Sequence, residues 1–193
     1  MTKKKVAIFA SGNGSNAVRI INYFRGHANI EVCALVCNNP KAKVLEKTAK
    51  ENLHQVLITN KEAQNGELLA EIMKKAKVDY IILSGYLRKI PNGLIQSYPK
   101  QIINIHPALL PKYGGSGMYG IHVHEAVKKS NDHESGITIH LINEEYDEGR
   151  VLAQHKTSLS QTDSVVDIQQ KVQQLEHLHF AVEIEKYIIQ RND

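Results

Sequence analysis

Cysteine is scarce in this chain, which has only two among its 193 residues. Cys33 and Cys37 lie within one apolar run, without the CxxC spacing of a redox motif and without the second ligand pair of a zinc site. We therefore expect reduced thiols in the core of a cytoplasmic protein. The ten histidines are scattered and lack the HExxH spacing, so the sequence predicts no metal site.

Long hydrophobic runs and blocks of like charge are missing as well. The first apolar run, Val6–Ala10, is too short for a signal sequence or a membrane span, so we expect no membrane partner. No basic block indicates a nucleic-acid partner, and the net charge of +4 weakly favours small phosphorylated or carboxylated ligands. Repeats, low-complexity tracts and linker-like segments are also missing, which predicts a single domain over residues 1–193.

The chain does contain an alternation of apolar runs with amphipathic stretches. The apolar runs are continuous, as in strands that are buried on both faces. They are Val6–Ala10, Glu31–Val36, Gln55–Ile58, Asp79–Leu83 and Gln101–Ile105. The helices predicted between and after them are Ala17–Arg25, Ala42–Glu51, Gly66–Ala76 and Gly93–Tyr98. This order predicts right-handed βαβ crossovers and a parallel sheet covered on both faces.

The second half of the chain has a different pattern. Gly136–Ile142 and Val151–Ser158 are predicted strands, and the short polar turn between them is typical of an antiparallel pair. Ile121–Ser130 is a predicted helix, and a long C-terminal helix follows a cap at Asp163 or Ser164. Its apolar stripe is expected to be Ile168, Val172, Leu175, His179 and Val182. The predicted fold class is therefore α/β: a doubly wound, mostly parallel, Rossmann-like sheet with an antiparallel strand pair near the C-terminus and a long C-terminal helix.

The first βα connection, Ser11-Gly12-Asn13-Gly14-Ser15-Asn16, is rich in glycine and small polar residues. Glycine lets the backbone approach a ligand closely and the amides of a helix start favour an anion, which predicts a phosphate site. The loop lacks the lysine of a nucleotide P-loop and the full G-x-G-x-x-G spacing, so an ATP or NAD site is disfavoured. A tight turn without a ligand is the alternative.

A second candidate site lies in Ile103-Asn104-Ile105-His106-Pro107, where an apolar strand runs out into a loop. Residues two apart along a strand share a face, so the Asn104 amide and the His106 imidazole can converge on one polar group. The prolines at 107 and 111 restrict the backbone beyond His106, which suits a catalytic loop. The alternative is a strand end whose histidine is hydrogen-bonded to the backbone.

These motifs resemble those of the phosphoribosylglycinamide formyltransferases in the formyltransferase family. The resemblance rests on Gly14-Ser15-Asn16, on Asn104 with His106, on Leu109-Leu110-Pro111 and on Asp147, and it covers nearly the whole chain. It implies transfer of a formyl group from 10-formyltetrahydrofolate to the amine of N1-(5-phospho-D-ribosyl)glycinamide in de novo purine biosynthesis. The formyl folate would be a co-substrate and no metal would take part.

The resemblance also implies binding residues. Those for the ribonucleotide are Gly14, Ser15 and Asn16 at the phosphate, with Gln173, Gln174, Leu175 and Glu176 as a second contact region. Those for the folate are Leu87, Arg88, Lys89 and Ile90 at the pterin, Asn104, and Asn143, Glu144, Glu145, Tyr146 and Asp147 on the other side of that pocket. Lys61 stands near the folate tail where the family often has arginine, and it lacks arginine's bidentate fork.

The expected catalytic residues are Asn104, His106 and Asp147. Amine formylation needs stabilisation of an oxyanion and protonation of the leaving N10. Asn104 can donate to the oxyanion, a protonated His106 can add charge there, and Asp147 would favour the imidazolium and relay protons. Neither Ser84 nor Ser116 lies in a nucleophile-elbow sequence, so direct transfer is expected, and residues 112–120 are expected to form a mobile loop over the site.

Three alternatives stay open. A formyltetrahydrofolate hydrolase would use the same three catalytic residues with water as acceptor, although an extra N-terminal domain is expected of it. A methionyl-tRNA formyltransferase is expected to carry an extra C-terminal RNA-binding domain. A non-catalytic phosphate-binding module would need only the glycine-rich loop. The sequence leaves the choice between monomer and homodimer open.

Overall fold

Strands and helices alternate along the chain in the computed structural model, which describes residues 2–51 and 53–191. The strands form a seven-stranded sheet in the order β3-β2-β1-β4-β5-β6-β7. By the density of contacts the chain divides into two compact units, Met1–Ile103 and Asn104–Asp193. The predicted single domain therefore stays a prediction, while the predicted fold class is confirmed.

The first unit is the parallel α/β part. Its strands are β1 Lys4–Phe9, β2 Ile30–Cys37, β3 His54–Leu57 and β4 Tyr80–Leu83, and the boundary between the two units lies within β5 Ile102–His106. Its helices are α1 Ser15–Tyr23, α2 Lys43–Thr48, α3 Gly66–Lys75 and α4 Asn92–Ser97. The pairs β1–β2, β1–β4 and β2–β3 are all parallel. The apolar runs of β1 and β4 are buried because helices cover both faces of such a sheet.

The second unit contains α5 Ile121–Lys129, β6 Glu134–Leu141, β7 Val151–Ser158 and α6 Val165–Gln190. β6 and β7 pair antiparallel, as predicted. Ser164 is the cap of α6, where its hydroxyl accepts from the Asp167 backbone N–H in a complete capping box. The choice between Asp163 and Ser164 is thereby decided.

The predicted elements all form, with ends that shift by up to three residues. One short 3₁₀ turn, Glu62–Gln64, was not predicted. Both cysteines are free thiols, and burial raises the pKa of each. Among residues 2–51 and 53–191, no helix combines the length and apolar character needed to cross a membrane.

The predicted stripe of α6 is wrong beyond its first two residues. The buried residues of the helix are Ile168, Val172, Phe180, Ile184 and Ile188, whereas Leu175, His179 and Val182 are only half-buried. With 3.6 residues per turn, each step of four residues moves the buried side by about 40° around the helix. The predicted stripe alternates steps of four and three residues, which keeps it on one face of the helix. The buried residues of α6 instead follow steps of four or eight residues, so the buried face winds around the helix axis.

Candidate active site

β5 presents Asn104 and His106 on the same face, because side chains two residues apart along a strand point the same way. His106 is the last residue of the strand and is only 4% exposed, whereas Asn104 is half-buried. The apolar residues that alternate with them hold the strand in the core. The strand thus extends one residue further than predicted and includes the imidazole.

The two nitrogens of His106 have different partners. Nε2 lies 2.7 Å from the backbone oxygen of Tyr113. A carbonyl oxygen can only accept, so this contact requires the proton on Nε2. Nδ1 lies 3.5 Å from Oδ2 of Asp147, which makes it the nitrogen that faces the carboxylate. The alternative that we considered from the sequence, a backbone-bonded histidine, is therefore correct for one side of the ring only.

Asp147 lies in the turn between β6 and β7, where its own backbone adopts the left-handed conformation with φ of 59°. Its Oδ2 accepts from the Gly115 backbone N–H at 2.9 Å, and Oδ1 lies 3.6 Å from Nε2 of His140. Burial acts to raise the pKa of Asp147, but the His140 and His106 imidazoles and the Gly115 N–H together hold that pKa below its usual range. Asp147 is therefore ionised at neutral pH.

His140 belongs to this cluster and was not predicted from the sequence. Its Nδ1 lies 3.0 Å from the Leu141 carbonyl, which can only accept, so this contact requires a proton on Nδ1. Nε2 lies 3.1 Å from Nδ2 of Asn104, so His140 accepts from the Asn104 amide and sets its orientation. The sequence signal that could have found it is the alternation of two polar residues, Thr138 and His140, with apolar ones in a predicted strand. Both residues are buried in the structure.

Thr138 holds the segment that follows His106. Its hydroxyl donates to the Ala108 carbonyl at 2.7 Å and accepts from the Leu110 backbone N–H at 2.9 Å. Gln154 on β7 donates to the same hydroxyl at 2.9 Å and to the Leu110 carbonyl at 2.9 Å. These bonds satisfy the buried backbone beyond the strand and so keep the chain in one shape there.

Burial lowers the pKa of His106 below its ordinary value, and the effects of Asp147 and the Tyr113 carbonyl, which raise it, do not offset that loss of solvation. A charged His106 at rest, which we expected from its pairing with Asp147, is thus not favoured at neutral pH. Neutral His106 has its Nδ1 lone pair directed at a carboxylate. The pair is poised to take up one proton, which would convert it into an ion pair.

The glycine-rich loop connects β1 to α1. Gly14 is the N-cap of α1, with φ of 74°, and no side chain caps this helix. A Cβ at Gly14 would lie 2.4 Å from Cγ2 of Val44 on α2, so only glycine fits there. Lys47, one turn further along α2, donates to Oδ1 of Asn13 at 2.6 Å. Helix α2 therefore shapes this loop, which the sequence did not indicate.

Ser11, at the start of this loop, links three strand ends of the first unit. Its hydroxyl donates to Oδ1 of Asn38 at 2.6 Å and accepts from the Leu87 backbone N–H at 3.0 Å. Its backbone N–H donates to the Gly85 carbonyl at 3.1 Å. The predicted phosphate loop and the predicted pterin segment are thus hydrogen-bonded to each other.

The remaining predicted binding residues differ in exposure. In the pterin segment Leu87, Arg88 and Lys89 are exposed, whereas Ile90 is buried. Lys61 lines a cleft of about 840 Å³ together with Thr59, Asn65 and Asn92. In the turn before β7, Asn143, Glu144, Glu145 and Tyr146 are exposed and Asp147 is half-buried. On α6, Gln174 is exposed, and Gln173, Leu175 and Glu176 are half-buried.

Metal ligands do not converge in the part of the chain described, residues 2–51 and 53–191, where no three His, Cys, Asp or Glu side chains are placed to hold an ion. The cluster around His106 offers an amide donor, an imidazole that can accept a proton, and an ionised carboxylate beside it.

Comparisons with known proteins identify the family of this chain. The model of the formyl transferase family matches residues 4–184. The chain is 42% identical over 182 residues to the chloroplastic phosphoribosylglycinamide formyltransferase of Arabidopsis thaliana, covering 91% of this chain and 62% of that protein. It is 34% identical to the phosphoribosylglycinamide formyltransferase of Bacillus subtilis, covering 90% of this chain and 89% of that one.

A solved structure has the same fold. The phosphoribosylglycinamide formyltransferase from Bacillus halodurans superimposes with a TM-score of 0.86 at 32% identity, over 96% of this chain and 95% of that one. The chain spans only 62% and 60% of the lengths of the two plant relatives that it matches. Since the family model covers almost the whole chain and the site residues on β5 and the β6–β7 turn lie together, the chain belongs to the formyl transferase family.

Proposed function

We propose that this chain transfers a formyl group from 10-formyltetrahydrofolate to the amine of N1-(5-phospho-D-ribosyl)glycinamide, in de novo purine biosynthesis. The observation that carries the proposal is the cluster of Asn104, His106 and Asp147. The ionised Asp147 carboxylate lies 3.5 Å from Nδ1 of the buried His106, and Asn104 is joined to the cluster through His140. The names of the plant and bacillar relatives support the choice of acceptor.

Asn104 serves the oxyanion that forms when the amine attacks the formyl carbon. One hydrogen of its Nδ2 is donated to Nε2 of His140. The second hydrogen is then available to the formyl oxygen, and its direction is set before substrate arrives because the amide cannot rotate without breaking the first bond. A preorganised donor of this kind typically contributes about 10²–10³ in rate.

His106 and Asp147 carry out the proton transfer from the attacking amine to the folate. The attacking nitrogen becomes cationic as the new C–N bond forms, and neutral His106 can take its proton on Nδ1. The resulting imidazolium is stabilised by Asp147 and lies beside the oxyanion. It returns the proton to N10 of the folate, whose bond to the formyl carbon then breaks. This sequence needs no covalent enzyme intermediate.

The substrate contacts are part of the proposal. Gly14, Ser15 and Asn16 bind the phosphate of the ribonucleotide, with Gln173, Gln174, Leu175 and Glu176 as further contacts. The folate contacts Leu87, Arg88, Lys89 and Ile90, Asn104, and the turn 143–147, with Lys61 at its tail. The glycine conformation at Gly14 and the link from Ser11 to Leu87 support these assignments.

The proposal extends to the setting of the enzyme. We place it in the cytoplasm as a monomer or homodimer, without metal and without a nucleic-acid or membrane partner. The short apolar runs support the lack of a membrane partner, and the small net charge of +4 supports the lack of a nucleic-acid partner.

The test is the loss of the formyl group from a 10-formyl folate, followed by absorbance with and without the glycinamide ribonucleotide. Wild type is compared with His106→Ala and with His122→Ala, a control at an exposed histidine that contacts Glu125 and the Tyr119 ring. We expect turnover that requires the nucleotide, a fall of about 10²–10³ in His106→Ala and no change in His122→Ala. Turnover without the nucleotide would indicate a hydrolase instead, and binding without turnover would indicate a non-catalytic module.

A further inference from the structure

The carbonyl that holds His106 comes from a residue in an unfavourable backbone conformation. Tyr113 has φ of 58°, in the left-handed region, which is uncommon for a bulky side chain. This conformation directs its backbone oxygen to within 2.7 Å of Nε2 of His106. A residue persists in such a conformation only where its surroundings hold it there.

The group that holds Tyr113 is Asp132, in the turn between α5 and β6. The Tyr113 hydroxyl donates to Oδ2 of Asp132 at 2.8 Å, and Nζ of Lys112 lies 3.1 Å from the same oxygen. The bonds from Tyr113 and Lys112 lower the pKa of Asp132, so it stays a carboxylate. Tyr113 is therefore fixed at its ring end by Asp132 and at its backbone end by His106.

We propose that Asp132 is a positioning residue for His106 and acts through Tyr113. By holding the Tyr113 hydroxyl, Asp132 keeps the Tyr113 carbonyl on Nε2, which fixes the tautomer with the proton on that nitrogen. Nδ1 is then the nitrogen that faces Asp147 and can accept a proton. The use of Nδ1 as a proton acceptor in catalysis rests on the proposed function, whereas the control of the His106 tautomer by Asp132 does not.

Asp132 reaches His106 through Tyr113, so its influence differs from that of the charged groups that face the imidazole directly. The titratable groups that face His106 are Asp147 and His140 from the β6–β7 side and His124 from α5. Asp147 raises the pKa of His106, whereas His140 lowers it. The Tyr113 carbonyl raises it as well, so releasing Tyr113 should lower the pKa of His106 further.

The experiment is ¹⁵N NMR of the histidine side chains across pH, which reports the tautomer and the pKa of His106 directly. Tyr113→Phe removes the hydroxyl and keeps the backbone carbonyl, and Asp132→Ala removes its acceptor. Asp132→Asn keeps an acceptor oxygen, and Lys112→Ala is the matched control because it removes the other partner of Asp132 and leaves Tyr113 bonded.

We expect Tyr113→Phe and Asp132→Ala to give a mixed tautomer, a lower His106 pKa and a kcat that is about tenfold lower at unchanged KM. The double variant should be no worse than either single one, and Asp132→Asn should recover part of the loss. Lys112→Ala should resemble wild type. A wild-type His106 spectrum in folded Tyr113→Phe would overturn the proposal. If the wild type has no transferase activity, the spectra still decide the positioning, so the two proposals fail separately.

Discussion

Nδ2 of Asn104 lies 3.1 Å from Nε2 of His140, on the neighbouring strand of the sheet. His140 is fully buried and its other nitrogen is bonded to the backbone, so the ring is held in place from both sides. An exposed amide would sample several orientations, whereas this one is directed before any substrate binds. The proposed oxyanion donor is thus prepared by a residue that would not itself touch substrate.

Replacing His140 should therefore impair the chemical step. His140→Phe keeps the ring and removes the acceptor, and the loss of this bond should lower kcat about tenfold while KM for both substrates changes little. His140→Gln restores an acceptor and should recover part of the rate. Steady-state kinetics of both variants measure this, and an unchanged kcat in His140→Phe would show that Asn104 is oriented in another way.

The pH dependence of kcat/KM follows from the lowered pKa of His106. If the neutral ring is the proton acceptor, activity should be constant near pH 7 and fall as the pH drops through a pKa below about 6.5, the ordinary value for histidine. Because the unfolded chain binds this proton more readily, stability should also fall as the pH drops below about 6.5. A kinetic pKa above that value would argue for a charged His106 at rest.

Substitutions at the two glycines of the glycine-rich loop should have different effects on substrate binding. Gly14→Ala should cost about 1–2 kcal/mol in backbone strain, and the new Cβ would also meet Val44. The loop must shift in response, so we expect a higher KM for the ribonucleotide. At Gly12 a Cβ would meet nothing within 4 Å, and its φ is not positive, so Gly12→Ala is the control. Equal KM values for the two variants would contradict a phosphate role for the conformation at Gly14.

Two buried serines of the first unit should differ in their contribution to stability. Ser11→Ala leaves the Leu87 N–H without its partner and removes a donor to Asn38, which should cost about 1–3 kcal/mol in the free energy of unfolding. The Ser84 hydroxyl is buried with no hydrogen-bond partner among the described residues, so Ser84→Ala should cost little. Denaturant unfolding of both variants compares them. A similar loss in each would mean that burial, not hydrogen bonding, decides the effect.

Local patterns were enough to predict the strands and helices. Continuous apolar runs such as Val6–Ala10 indicate strands buried on both faces, and the polar turn before Val151 indicates an antiparallel pair. The pairing of Asn104 with His106 followed from the two-residue period of a strand. The buried face of α6 was not predicted correctly. Which of its residues are buried depends on what packs against Phe180 and Ile184 in the folded chain.

The sequence by itself determined which residues can do chemistry, because residue type and spacing are local properties: an amide and an imidazole on one strand face, and glycines at a helix start. Only the tertiary structure decided their protonation and orientation. His140 lies 36 residues along the chain from its partner Asn104. The Tyr113 carbonyl lies 7 residues from its partner His106. Burial, which lowers the pKa of His106, likewise depends on everything packed around it. Such contacts depend on chain folding, and no local pattern records them.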